Sequence, residues 1–310
     1  MTDRSLHRAL AAALVVTLAL AGAAGAQGRT YRWVDPQGNV TYSDRPQPAP
    51  PPAPAATGRE GQVDEILELS GLKRQVQRMP AEIQMRLQQQ RAQSPRPETH
   101  DRVAQAFARA FTEDALAARM RAVMVARFDP VQAEAFVTWL RGPVSRRLNE
   151  VEAAAESPAG QQELARYAQT LQKVPPPPDR AALARRVVEA TSVVDVTLDV
   201  LFAMARVSAR AVDAAQPPEK RLKPGQLDAQ IRAAREKAYE PLRVSAVISV
   251  LYTYRALPAE DLDAYATFYA TPPARWFIAS IRHALVETIT ALTEQAMTEA
   301  APSIVAPAPK

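Results

Sequence analysis

The sequence predicts a mainly α-helical protein with an N-terminal β-hairpin module, a Pro-rich linker and then two repeated α-helical bundle units. Apolar residues recur at three- and four-residue steps through most of the chain, which is the helical period. A short alternating segment rich in aromatic residues precedes them. The 27 prolines outnumber the 10 glycines and cluster between the periodic segments, where they mark boundaries. With 47% hydrophobic and 23% charged residues, the 310-residue chain has a globular composition.

Residues 1–26 have the three parts of a secretory signal peptide. Arg4 and Arg8 give a basic start, residues 9–26 carry no charge, and the run ends in Ala-Gly-Ala. We therefore expect cleavage after residue 26, export, and no stable membrane span afterwards. A retained anchor is the alternative, although a span needs about 20 strongly apolar residues and this run is rich in alanine.

Residues 29–46 predict a β-hairpin. The run Asp-Pro-Gln-Gly at 35–38 is a turn signal, because proline fixes φ and glycine accepts the left-handed conformation. A lone hairpin is marginal in water, so its aromatic faces must lie on the helical body, a third strand or a partner. Its aromatic side chains are candidate binding residues: Tyr31, Trp33 and Tyr42.

The same segment resembles domain-of-unknown-function family 4124. The resemblance lies in YRWVD from residue 31, the Gly38 turn and YSDRP from residue 42. It implies an exported envelope module of Gram-negative bacteria, found between a signal peptide and a Pro-rich linker, with no established activity. The predicted location is therefore the periplasm. The leading functional hypothesis is a non-enzymatic interaction or scaffold protein, which contacts an envelope or cell-wall partner through the hairpin.

Composition divides the rest of the chain. The predicted segments are a Pro-rich linker at 47–61, a helical unit at 62–173, a Pro linker at 174–178, a second helical unit at 179–300 and a disordered tail at 301–310.

The two helical units contain an internal repeat. An offset of 129 residues aligns Phe136 with Tyr265 and Pro143 with Pro272, and an offset of 121 aligns ILELSG with VVEATS further upstream. Each unit is long enough to bury its own core, and the two would pack as a pseudo-symmetric pair. Pro241 should kink or end its helix. The units are also similar to a second exported helical family of unknown function, through the small-Pro-x-small break after an aromatic helix.

Several chemistries have little support in the sequence. There is no cysteine, hence no disulfide and no thiolate nucleophile. His283 and Glu287 share a helix face, but two ligands fall short of a zinc site, so we expect no metal and no cofactor. No serine elbow is present, and the formal charge of +5 without a basic cluster disfavours nucleic-acid partners. We therefore predict no enzyme, with a carboxylate-pair hydrolase as one alternative.

An aromatic stripe near the C-terminal end gives the other alternative. Its candidate binding residues are Tyr265, Tyr269 and Trp276. They fit a core seam, or an apolar groove for a lipid or peptide with tyrosine hydroxyls at its rim. The second interpretation makes the protein a carrier or sensor of an apolar ligand.

Overall fold

The computed structural model describes residues 31–34, 40–43, 58–94 and 96–305. Within residues 58–305 the helices follow one another through short turns: α1 (Arg59–Leu69), α2 (Leu72–Arg91), α3 (Pro97–Ala110), α4 (Glu113–Ala126), α5 (Pro130–Leu140), α6 (Pro143–Ala155), α7 (Pro158–Leu171), α8 (Pro178–Thr191), α9 (Val193–Ala214), a 3-10 turn (Pro218–Lys220), α10 (Gln226–Thr253), α11 (Ala259–Tyr269) and α12 (Pro272–Val305). Many begin at a proline, whose missing N–H costs nothing at the first helical position.

The predicted fold class is wrong in its β component. Two strands, β1 (Tyr31–Val34) and β2 (Val40–Ser43), pair antiparallel at the backbone. However, the described residues from 58 to 305 contain helices and no strand, so a hairpin module is not supported as part of the fold. The physical reason is that the described core is built from helix side chains alone and needs no sheet to close it.

Helix α12 lies at the centre of the body. Its buried apolar side chains face all directions: Ala274, Phe277, Ile281, Ala284, Leu285, Ile289, Leu292, Ala296, Met297 and Ala300. A helix that is apolar all round must be covered all round, and α12 is covered by α3, α4, α5 and α9. It still carries charged residues, and none of the described helices has the length and hydropathy to cross a bilayer.

The two halves of the helical body exchange their last helices. Helix α12, from the second half, packs on α3, α4 and α5 of the first half. Helices α6 and α7, from the first half, pack on α10 and α11 of the second. One core cluster accordingly joins residues 63–140 with residues 274–300. The prediction of two bundle units with a core apiece is therefore wrong, because the first half has no apolar helix of its own to fill its centre.

Helix bounds in the two halves follow the sequence offsets. Helix α5 spans residues 130–140 and α11 spans 259–269, which is 129 residues later at both ends. Helices α3 and α6 start 129 residues before α10 and α12. That the halves descend from one duplicated unit stays a prediction.

Two expectations about helix ends are wrong. Helix α10 continues through Pro241 instead of ending there. Helix α12 continues to Val305, through the first part of the segment 301–310 that was predicted to be disordered. In both places neighbouring helices cover the segment, and tertiary packing outweighs the local cost of proline.

Candidate functional site

The first candidate site is an apolar cleft between α2, α3, α9 and α12, with a volume of about 450 Å³. Its walls are aliphatic, thioether and phenyl side chains: Met79, Ile83, Leu87, Val103, Phe107, Val200, Leu201, Met204, Ala205, Val212, Ile289, Met297 and Ile304. The volume falls in the range of small-molecule pockets, roughly 300–1,000 Å³. Methionines on three different helices line it, and their flexible side chains adapt to irregular apolar shapes.

Polar residues of the cleft come mainly from the α2–α3 corner. Arg86 and Arg96 line it, and neither has an ion-pair partner among the described residues. Glu82 lies one turn before Arg86 and lines it too, so these three side chains sum to one positive charge. The Nε2 atom of His100 donates to the Leu87 carbonyl oxygen, 2.6 Å away, which holds α3 against α2 beside the cleft.

The second candidate site is a junction cavity of about 430 Å³, where α6, α10, α11 and α12 meet. Residues 129 apart in the sequence line it in pairs: Leu140 with Tyr269, Leu148 with Phe277 and Glu152 with Ile281. The cavity therefore lies between the two halves, and both contribute equivalent positions to its wall.

A chain of hydroxyl groups ends on a carboxylate in the junction cavity. The Tyr254 hydroxyl donates to Oε1 of Glu152 at 2.5 Å. The Tyr265 hydroxyl lies between those of Tyr254 and Tyr269 and is hydrogen-bonded to both. The rings of Tyr254 and Tyr265 meet edge to face with centroids 5.8 Å apart, and those of Tyr265 and Tyr269 at 4.7 Å. The three phenols and the carboxylate thus form one network.

The pKa values in this network are shifted by burial. Removal from water raises the pKa of the Glu152 carboxyl, and the hydrogen bond from Tyr254 opposes that shift only in part. Burial also raises the pKa of Tyr254, Tyr265 and Tyr269, so the phenols stay protonated as donors. Glu152 is therefore the member of the network whose charge can change at moderate pH.

The structure brings together only part of the predicted site. Tyr265 and Tyr269 line the junction cavity. Trp276 lies outside both cavities, and its Nε1 donates to the Arg127 carbonyl oxygen at 3.2 Å. The backbones of Tyr31, Trp33 and Tyr42 lie in β1 and β2, and their side chains are outside the described residues.

The apolar groove lies elsewhere than the aromatic stripe predicted. The stripe faces a cavity with a carboxylate and hydroxyls, whereas the apolar cleft is formed by aliphatic residues of four helices. Among the described residues, no group of three metal-ligating side chains converges, and Nε2 of His283 is 3.2 Å from Glu287 Oε2 at the surface.

Sequence reasoning missed Glu152 and the cleft. Carboxylates are common on the helices, and nothing local distinguishes Glu152 from its neighbours. Its partner Tyr254 is 102 residues away in the chain. The methionines Met79, Met204 and Met297 were the available signal for an adaptable apolar site.

Comparison with known proteins identifies the N-terminal segment. No curated protein and no solved structure matches the chain. A family model described as Domain of unknown function (DUF4124) matches residues 17–73, which include the predicted hairpin segment and extend through α1 to the start of α2. Similarity of the helical units to a second family stays a prediction. The resemblance predicted from residues 30–46 is confirmed: the N-terminal segment of this chain is similar to DUF4124.

Proposed function

We propose that the protein is an exported carrier or sensor that holds an apolar ligand, of the single-chain lipid class, in the apolar cleft. The observation that carries the proposal is the cleft itself, whose walls come from four helices and are almost entirely apolar. A monomeric protein rarely keeps such a cavity without an occupant, because every uncovered methylene in it forfeits about 0.8 kcal/mol of burial. The signal-like residues 1–26 support export.

The polar groups of the cleft favour an amphiphile over a wholly apolar compound. An acyl chain would lie along α9 and α12, and its head group would face Arg86 and Arg96 at the α2–α3 corner. The single excess positive charge there favours a carboxylate or phosphate head over an ammonium one. Glu82 reduces that preference.

The interaction or scaffold hypothesis has no matching observation among the described residues, since it rests on the hairpin side chains. The hydrolase hypothesis needs two carboxylates on opposite sides of a bond. Glu152 and Glu156, the carboxylates of the junction cavity, come from one turn at the end of α6 and line the same side. Both hypotheses stay predictions.

The test is a fluorescence titration of the mature chain with a dansylated undecanoic acid. We expect saturable enhancement with a Kd of about 1–10 μM, typical of a site of this size. Ser208 lines the cleft on α9, so Ser208→Phe should fill part of it and weaken binding about tenfold. Ala214→Phe adds the same ring at an exposed position of the same helix and should leave binding unchanged.

Two results would overturn the proposal. One is the absence of saturable enhancement with the wild-type chain. The other is unchanged affinity in Ser208→Phe, with circular dichroism confirming that both variants keep the wild-type helix content.

A further inference from the structure

We propose that the junction cavity is a second binding site, separate from the apolar cleft, and that it takes a small organic cation of the ammonium class. Glu152 would neutralise the cation, and aromatic rings would surround it. This inference is independent of the proposed lipid function, because it uses a different cavity and a ligand of opposite charge.

The charges that line the cavity have one sign. Its ionisable side chains other than the phenols are Glu152 and Glu156, and no lysine, arginine or histidine is among the described lining residues. Glu156 is already compensated, because its Oε2 lies 2.9 Å from a guanidinium nitrogen of Arg78. Glu152 accepts from the neutral Tyr254 hydroxyl and has no ion pair among the described residues. Its negative charge is therefore available to a cationic ligand.

The walls suit a cation as well. Five aromatic residues line the cavity: Trp139, Tyr254, Tyr265, Tyr269 and Phe277. The face of each ring carries negative potential, and a desolvated ammonium group gains about 2 kcal/mol from such a face. An aromatic wall around one carboxylate offers a cation both the rings and the countercharge.

The equivalent positions of the other half show that packing does not require this chemistry. The residues 129 positions from Tyr254, Tyr265 and Tyr269 are Val125, Phe136 and Leu140, and Ile281 corresponds to Glu152. These four apolar residues belong to or pack on the main core. The same helix contact is thus made elsewhere without polar groups. Burying a carboxylate costs free energy, so its presence on one side alone points to a role in binding.

Proton binding to Glu152 should oppose cation binding. The charged or titratable groups that face it come from several helices: Arg74 on α2, Glu156 after α6, Tyr254 after α10, and Tyr265 and Tyr269 on α11. Arg74 and the Tyr254 hydrogen bond favour the carboxylate, while burial and Glu156 favour the acid. A cation adds to the first group, so its affinity should rise with pH as Glu152 ionises.

The experiment compares choline with 3,3-dimethyl-1-butanol, which has the same shape without the charge. Both are titrated into the mature full chain by isothermal calorimetry, at constant ionic strength and at pH 5 and 8. We expect choline to bind about tenfold or more tightly than the alcohol, and more tightly at pH 8 than at pH 5.

Variants assign the effect to Glu152. Glu152→Gln keeps the shape of the side chain and should weaken choline binding about tenfold. Glu163→Gln is the matched control, because Glu163 also accepts from a tyrosine hydroxyl, that of Tyr252 at 3.0 Å, but does not line the cavity. It should leave choline binding unchanged. If Glu152→Gln does not fold, Tyr269→Leu tests the wall, and it should weaken choline more than the alcohol.

The proposal fails if choline does not bind at about 10 mM, or if choline and the alcohol bind equally. It also fails if Glu152→Gln, or Tyr269→Leu in its place, binds choline like the wild type. None of these outcomes affects fatty-acid binding in the apolar cleft, so the two proposals succeed or fail separately.

Discussion

The last helices of the two halves, α12 on one side and α6 with α7 on the other, make equivalent contacts with opposite chemistry. Three buried apolar residues of α12 correspond, 129 positions earlier, to three glutamates: Ile281 to Glu152, Leu285 to Glu156 and Leu292 to Glu163. Helix α12 is continuous over 34 residues, whereas α6 and α7 are separated by a turn at residues 156–157. The comparison indicates that one exchange contact supplies stability and the other supplies a polar cavity.

The largest effect should come from truncating the apolar member of an equivalent pair. Leu292 is 1% exposed, and Leu292→Ala should lower the free energy of unfolding by about 2–5 kcal/mol, because it leaves a cavity in the shared core. Glu163→Ala, at the corresponding position of α7, should cost less than about 1 kcal/mol, since its contacts are largely exposed. Urea unfolding measures both. Similar losses for the two variants would contradict the division of roles.

The turn between α6 and α7 should tolerate little change. A Cβ atom at Gly160 would lie 2.5 Å from the carbonyl oxygens of Ala154 and Ala155, which are backbone atoms and cannot rotate away. Gly160→Ala should therefore destabilise the protein by about 1–3 kcal/mol. The exposed neighbour Ala159 provides the control, because Ala159→Ser should stay within about 0.5 kcal/mol. Equal stability of the two variants would mean that the turn relaxes without cost.

The smallest effect is a difference in pH dependence. The folded-state pKa of Glu152 is raised above that of the unfolded chain, so its contribution to stability is present at low pH and is lost as pH rises through the folded-state pKa. The wild type should therefore lose more unfolding free energy between about pH 4 and pH 8 than Glu152→Gln does. Urea unfolding across this range tests it, with Glu163→Gln as a control that keeps the wild-type slope. A steeper loss in Glu152→Gln would reverse the assigned sign.

Local signals explain the parts of the fold that the sequence predicts well. Thr112 precedes α4, and its hydroxyl oxygen accepts from the Ala115 N–H at 3.2 Å. Ser157 before Pro158 predicts the start of α7, and the Ser157 hydroxyl oxygen accepts from the Gly160 N–H at 3.0 Å. Such caps involve residues three positions apart, so pattern reasoning finds them.

Long-range pairings explain what the sequence could not predict. Helical periodicity indicates that a helix has an apolar face, but not which helix covers that face. The exchange of α12 and α6–α7 between halves was therefore invisible, and so were the apolar cleft and the Glu152 network that depend on it. Tyr265 and Tyr269 could be selected as candidates because aromatic residues are few in this chain.

The position of α12 has a consequence for biosynthesis. A nascent chain that has emerged from the ribosome only as far as residue 173 contains α1 to α7, but not the helix that fills their centre. Apolar side chains such as Phe136 and Met120 would stay uncovered until the last segment of the polypeptide is made. Completion of the native core is thus delayed to the end of translation, which keeps the polypeptide loose enough to be threaded through a secretion channel.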